Sequence, residues 1–98
     1  MFVVLYHWRL IPGTEDTFRQ AWSKVTTAIR SRHGSLGSRL HRAEDGTWWA
    51  YAQWPSRVAF EIAAGGDADP ENTNLMKQCV AERLDTVMAD VTEDLLAR

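Results

Sequence analysis

A single cysteine, Cys79, stands among 98 residues, which excludes an intramolecular disulfide and any cysteine-rich zinc site. Its apolar neighbours suggest a buried thiol. There is no clustered basic face: 11 Lys and Arg against 13 Asp and Glu give a formal net charge of -2, with the signs mixed along the chain. Nucleic acid is therefore set aside as a partner. No apolar run approaches the length of a membrane span, and the stretch from Met1 to Arg9 carries neither a basic leader nor a small-residue cleavage site. The expectation is a cytoplasmic protein with no membrane partner. No Gly-rich loop is built to cradle phosphates, no Ser/His/Asp arrangement stands out, and no two histidines and a carboxylate fall at a metal-ligand spacing. Nucleotide, hydrolase and metal readings fall with them.

What is present is a globular composition, 45% hydrophobic and 24% charged. A chain this short cannot be split into two useful cores, so one domain is expected over residues 1–98. Five tryptophans are many for so small an interior. Some of them are expected to line a pocket or an interface.

Phe2 to Leu10 is rich in aromatic and β-branched residues and runs into Ile11-Pro12-Gly13, the pattern of a strand ending in a turn. Thr14 then reads as a helix N-cap, with Glu15 and Asp16 facing the positive end of the helix dipole. Phe18, Ala21, Trp22, Val25, Ala28 and Ile29 recur at helical spacing, and Gly34 is placed to close that helix in the left-handed conformation. Leu36 to Arg42 and Thr47 to Trp54 read as two strands flanking Glu44-Asp45-Gly46. That triplet suits a three-residue loop with Gly46 left-handed, which is the favoured reading. A two-residue Asp-Gly turn would exchange the faces of every residue on one strand.

Pro55-Ser56 starts a short helix carrying Val58, Phe60 and Ile62, and Asp69-Pro70 restarts a helix with Leu75, Met76, Cys79 and Val80 on its buried stripe. The tail fits a strand through Val87, Ala89 and Val91, and a helix through Leu84, Val87, Met88, Val91 and Leu95. As a strand it completes a β-α-β-β-α-β order, an antiparallel ferredoxin-like α+β sheet with helices on one face.

Several stretches resemble the antibiotic biosynthesis monooxygenase domain family: Arg9-Leu10-Ile11-Pro12-Gly13, the helix with Phe18 and Trp22, the run from Gly34 to Arg42, and the run from Asp45 to Ser56. The likeness extends to the closing residues 89–96, and the resemblance implies that this tail is a final strand. It also implies a homodimer in which two sheets form a dimeric α+β barrel. The expected sheet points the same way, because helices on one face leave its other face bare. The activities such a resemblance implies include cofactor-independent oxygenation. Haem-degrading relatives use a helix histidine in the second half of the domain, and this chain has no histidine after His41. The expected cofactor is none.

Cofactor-free oxygenation requires a substrate that supplies the electrons, such as a phenol or quinol whose anion reacts with dioxygen. Under the three-residue loop, His41 pairs with Trp49 and Arg39 with Tyr51, which gathers a base, a cation, a phenol and an indole on one face. His41 is the first candidate for proton abstraction and His7 the second. Arg39 and Tyr51 would hold the oxyanion, and Trp49 and Trp54 would wall the substrate ring. Each has an ordinary alternative: His41 at an interface, His7 as a hydrogen-bonded structural residue, Arg39 in a salt bridge across the dimer, Tyr51 as a plain strand residue. Trp8, Trp22 and Trp48 are assigned to packing, and His33 to the dipole at its helix end. The two functions that follow are a small monooxygenase acting on a phenolic or quinol-like compound, and a non-catalytic dimeric ligand-binding or interaction module.

Overall fold

The computed structural model describes residues 1–97 and has the order β1 (Phe2–Leu10), α1 (Glu15–His33), β2 (Gly37–Arg42), β3 (Trp48–Trp54), α2 (Arg57–Ala64), α3 (Pro70–Cys79), β4 (Val80–Arg83) and β5 (Val87–Asp90). All strand pairs are antiparallel, in the order β2-β3-β1, with β4 and β5 sharing the outer edge of β1. This is the ferredoxin-like α+β arrangement, with the last strand delivered in two pieces. β4 pairs with the Trp8–Leu10 end of β1 and β5 with Phe2 to Leu5. Between the pieces the Leu84 amide still donates to the His7 carbonyl at 2.9 Å.

The hairpin takes the three-residue register: Arg39 lies opposite Tyr51 and His41 opposite Trp49. The Ala43 amide donates to the Thr47 carbonyl and the Gly46 amide to the Ala43 carbonyl, with Gly46 at φ 85. A side chain at that φ would be strained, which is why glycine closes the loop. α1 ends at a left-handed Gly34, φ 73. Its start differs from expectation in one detail. Thr14 sits at the N-cap position, but its hydroxyl donates to the Ile11 carbonyl at 2.7 Å, closing the Pro12-Gly13 turn, and caps no helix amide. Ser56 and Asp69 do cap α2 and α3, accepting from the Ala59 and Asn72 amides.

The end of α3 corrects a second expectation. Val80, read above as part of a helical stripe, is the first residue of β4, and the stripe stops at the buried Cys79. Helical periodicity continued by one apolar residue hides the change to extended backbone, whose pairing partner lies seventy residues away on β1. The tail expected as a strand pairs over Val87–Asp90 only, and residues 91–97 are irregular.

All three helices pack on one face of the sheet, where the core divides in two. At one end Phe18, fully buried, lies edge-on to Trp8 at 5.2 Å and to Trp48 at 6.4 Å, with Leu10, Ala50 and Cys79 around them. At the other, Phe2, Val4, Ala52 and Trp54 pack beneath Phe60 and Ala63 of α2. Tyr6 packs against both clusters. Burial of these side chains is the main stabilising term, about 1.5–3 kcal/mol for each large one.

Candidate functional site

Strand alternation divides the chemistry-bearing residues between the two faces of the sheet. On the open face, away from the helices, stand Arg39 and His41 of β2, Trp49 and Tyr51 of β3, and Leu5 and His7 of β1. Arg39, His41, Trp49 and Tyr51 border a depression of about 860 Å³ with Leu5 and residues of the irregular tail, among them Val91 and Leu95. Arg39 and His41 are exposed.

His7 is tied down more tightly than its neighbours. Its ring stacks on Trp49 with centroids 3.5 Å apart, and its Nε2 is 2.8 Å from the Thr47 hydroxyl. That hydroxyl donates its own proton to the Asp45 carboxylate at 2.6 Å, so it accepts from His7, and Nε2 carries the hydrogen. Thr47 is 2% exposed. The two bonds from its hydroxyl and amide hold the Asp45 carboxyl below the ordinary carboxylate range.

Trp54 does not belong to this group. It pairs with Phe2, is 5% exposed, and faces the helices, where its ring meets Phe60 at 5.6 Å. It is three positions from Tyr51 and five from Trp49, and an odd separation along a strand always puts two side chains on opposite faces. The set read from the sequence is thus five residues on one face and one on the other.

The helix side holds a second space, also about 860 Å³, between the sheet and the helices. Its floor is Ala50 and Ala52, two small residues set between the large rings of Trp48 and Trp54 on the same strand. Tyr6, Trp8, Trp22, Trp54, Phe60 and Met76 wall it. Tyr6 stacks on Trp8 with centroids 5.7 Å apart and rings nearly parallel. Polar groups enter at the margins: Ser38 from β2, His33 from the end of α1, and Arg83 from β4. Burial pushes the Tyr6 phenol above its ordinary value of 10.0, and the positive charge of Arg83 pulls the other way. At neutral pH Tyr6 is therefore a hydrogen-bond donor beside a cation.

Sequence reasoning assigned Trp8 and Trp22 to packing alone and passed over Tyr6, Ser38 and Arg83. The available signal was the alternation Trp48, Ala50, Ala52, Trp54 on one face of β3, large residues at the ends and small ones in the middle. Among the described residues, no group of three or more His, Cys, Asp or Glu is placed to hold a metal ion. No helix among them is long and apolar enough to cross a membrane.

This arrangement of strands and helices is one that other proteins share. Residues 1–68 match the family model for antibiotic biosynthesis monooxygenase, and the chain belongs to that family. Among solved structures it is similar to Rv0793 from Mycobacterium tuberculosis, with 14% identity and a TM-score of 0.77 over 97% of this chain and 98% of that one. It is also similar to a substituted form of SnoaB, a cofactor-independent oxygenase from Streptomyces nogalater, with 12% identity and a TM-score of 0.79 over 96% and 95% of the two chains. At these identities the likeness is one of fold. No curated protein sequence matches the chain.

Proposed function

We propose that this protein is a monooxygenase that oxidises a small phenolic or quinol-like aromatic compound without flavin or metal, in the space between the sheet and the helices. The observation that carries the reading is that space: about 860 Å³, floored by Ala50 and Ala52 and walled by tryptophan, tyrosine and phenylalanine rings. Such walls suit a flat aromatic ring. Family membership and the fold shared with a cofactor-independent oxygenase support the reaction class.

In this reading the substrate is the reductant. Loss of the phenolic proton gives an anion that reacts with dioxygen; one oxygen atom stays on the ring carbon as a quinone carbonyl and the other leaves as water. The four electrons come from the substrate's own O–H and C–H bonds. Tyr6 donates a hydrogen bond to the substrate oxygen, and Arg83 stabilises the negative charge that develops there. His33, the imidazole at the margin of the cavity, accepts the proton. The protein acts as a single domain and, in keeping with the bare sheet face, as a homodimer in the cytoplasm.

Oxygen uptake measured with a panel of phenols and quinols, with mass spectrometry of the products, tests the activity. An oxygenated product and its loss in Tyr6→Phe are the expected result. Saturable binding with no product would instead leave a non-catalytic ligand-binding module of the same fold.

One observation favours a second location for the same chemistry. Arg39, His41, Trp49 and Tyr51 border a common depression on the open face. There His41 would take the proton, with His7 nearby, Arg39 and Tyr51 would hold the oxyanion, and Trp49 would stack on the ring. His41→Ala would then abolish oxygen uptake while the dimer, followed by sedimentation, stayed intact. Unchanged turnover would remove His41 from the mechanism.

A further inference from the structure

We infer that Ser38 is a ligand-positioning residue: its hydroxyl binds an oxygen atom of whatever aromatic compound occupies the space between sheet and helices. The inference rests on reading that space as a ligand site, but not on the compound being oxidised there.

Three observations converge on Ser38. It lies opposite Ala52 in the β2–β3 register, which turns its side chain to the helix side and beside the floor of the cavity it lines. Its Oγ is buried. Among the described residues it is the buried side-chain polar atom with no hydrogen-bond partner. The neighbouring Ser35 has used its own hydroxyl, accepting from the Gly37 amide at 3.0 Å and reaching the Gln53 carbonyl at 3.5 Å, so the strand's local needs are met without Ser38.

A hydroxyl buried without a partner lowers stability, and alanine would fill the same position without that penalty. A serine kept there is explained when a ligand supplies the missing bond. Because a hydroxyl both donates and accepts, the matching group is a phenolic hydroxyl or a carbonyl on the ligand edge nearest β2. Ala50 and Ala52 leave room for the ring itself, and Tyr6, on the far side of β3, is free to bind a different oxygen.

The test uses a pair of probes of one shape, naphthalene and 1-naphthol, titrated into the full chain and followed by ligand-observed NMR. The wild type is expected to bind 1-naphthol about tenfold more tightly than naphthalene, the scale of one neutral hydrogen bond in a dry site. Ser38→Ala should remove most of that preference while leaving naphthalene affinity unchanged, and Ser38→Thr should retain it. The Tm of Ser38→Ala should be equal to or above that of the wild type. A preference unmoved by Ser38→Ala overturns the proposal, and so does a lowered Tm with unchanged ligand affinities, the signature of a purely structural serine. Failure of both probes to bind also overturns it. Oxygen uptake is read separately: a Ser38-dependent preference without turnover would remove the monooxygenase activity and leave Ser38 as the ligand-positioning residue.

Discussion

Trp48 and Trp49 are neighbours in the chain and belong to different environments. Trp48 is 7% exposed, edge-on to Phe18 in the core, whereas Trp49 lies half-buried on the open face with its ring against His7. The same division runs through the whole sheet: the helix side takes Phe2, Val4, Trp8, Ala50, Ala52 and Trp54, and the open side takes His7, Arg39, His41, Tyr51 and Gln53. The lesson is that the exposed ionisable side chains of the open face and the apolar space beneath the helices are separate resources in this fold, the second with its own ionisable groups in Tyr6, His33 and Arg83. A motif search finds the first. The second is made by what the side chains leave unfilled.

The two faces should differ most in what they contribute to stability. Phe18→Ala should lower the unfolding free energy by about 3–5 kcal/mol, the range for removing a fully buried ring, as read by denaturant titration. Trp49→Ala on the open face should cost less than half as much. Equal losses would mean that the open face is packed as tightly as the helix side.

Next in size is catalysis. Tyr6→Phe should lower kcat/KM for a phenolic substrate by about tenfold to a hundredfold, the loss of one preorganised donor to a developing oxyanion. His41→Ala should change it by less than about threefold. The reverse order would move the chemistry to the open face. Ala52→Leu should fill part of the cavity floor and weaken binding of 1-naphthol at least tenfold while leaving the assembly state unchanged.

The smallest effects are pH-dependent, and a cavity residue and a hairpin-loop residue govern opposite ends of the scale. Tyr6 has a folded pKa above 10.0, so its contribution to stability is full below that pH and is lost as pH rises through the folded value. Tyr6→Phe should therefore flatten the alkaline limb of a Tm-against-pH profile. Asp45 is the mirror case. Its folded pKa lies below 3.8, so its contribution is full above that pH and is lost as pH falls through the folded value. Asp45→Ala should flatten the acid limb and leave the alkaline one alone.

Much of the fold was legible because it is written locally. α1 follows from the spacing of Phe18, Ala21, Trp22 and Val25 with a glycine at its end, and the hairpin register follows from Glu44-Asp45-Gly46. β4 was not legible: Val80–Arg83 is four residues long, follows directly on α3, and is extended only because β1 offers its edge. The grouping of Arg39, His41, Trp49 and Tyr51 could be read from register alone. The helix-side cavity could not, because its volume depends on how far the helices stand from Ala50 and Ala52, a distance that no local pattern encodes. Trp54 shows what strand parity adds to residue type: it walls a space, as expected of it, but the one on the helix side and not the one beside Trp49.

The stacking of His7 on Trp49 has an optical consequence. An imidazole stacked 3.5 Å from an indole shields one face of that ring from solvent, and the emission of an indole depends on its surroundings. Trp49 is therefore a single fluorophore of the open face, whereas the other four tryptophans report the helix side. Its emission can thus register a change at one surface of the sheet separately from what occupies the other.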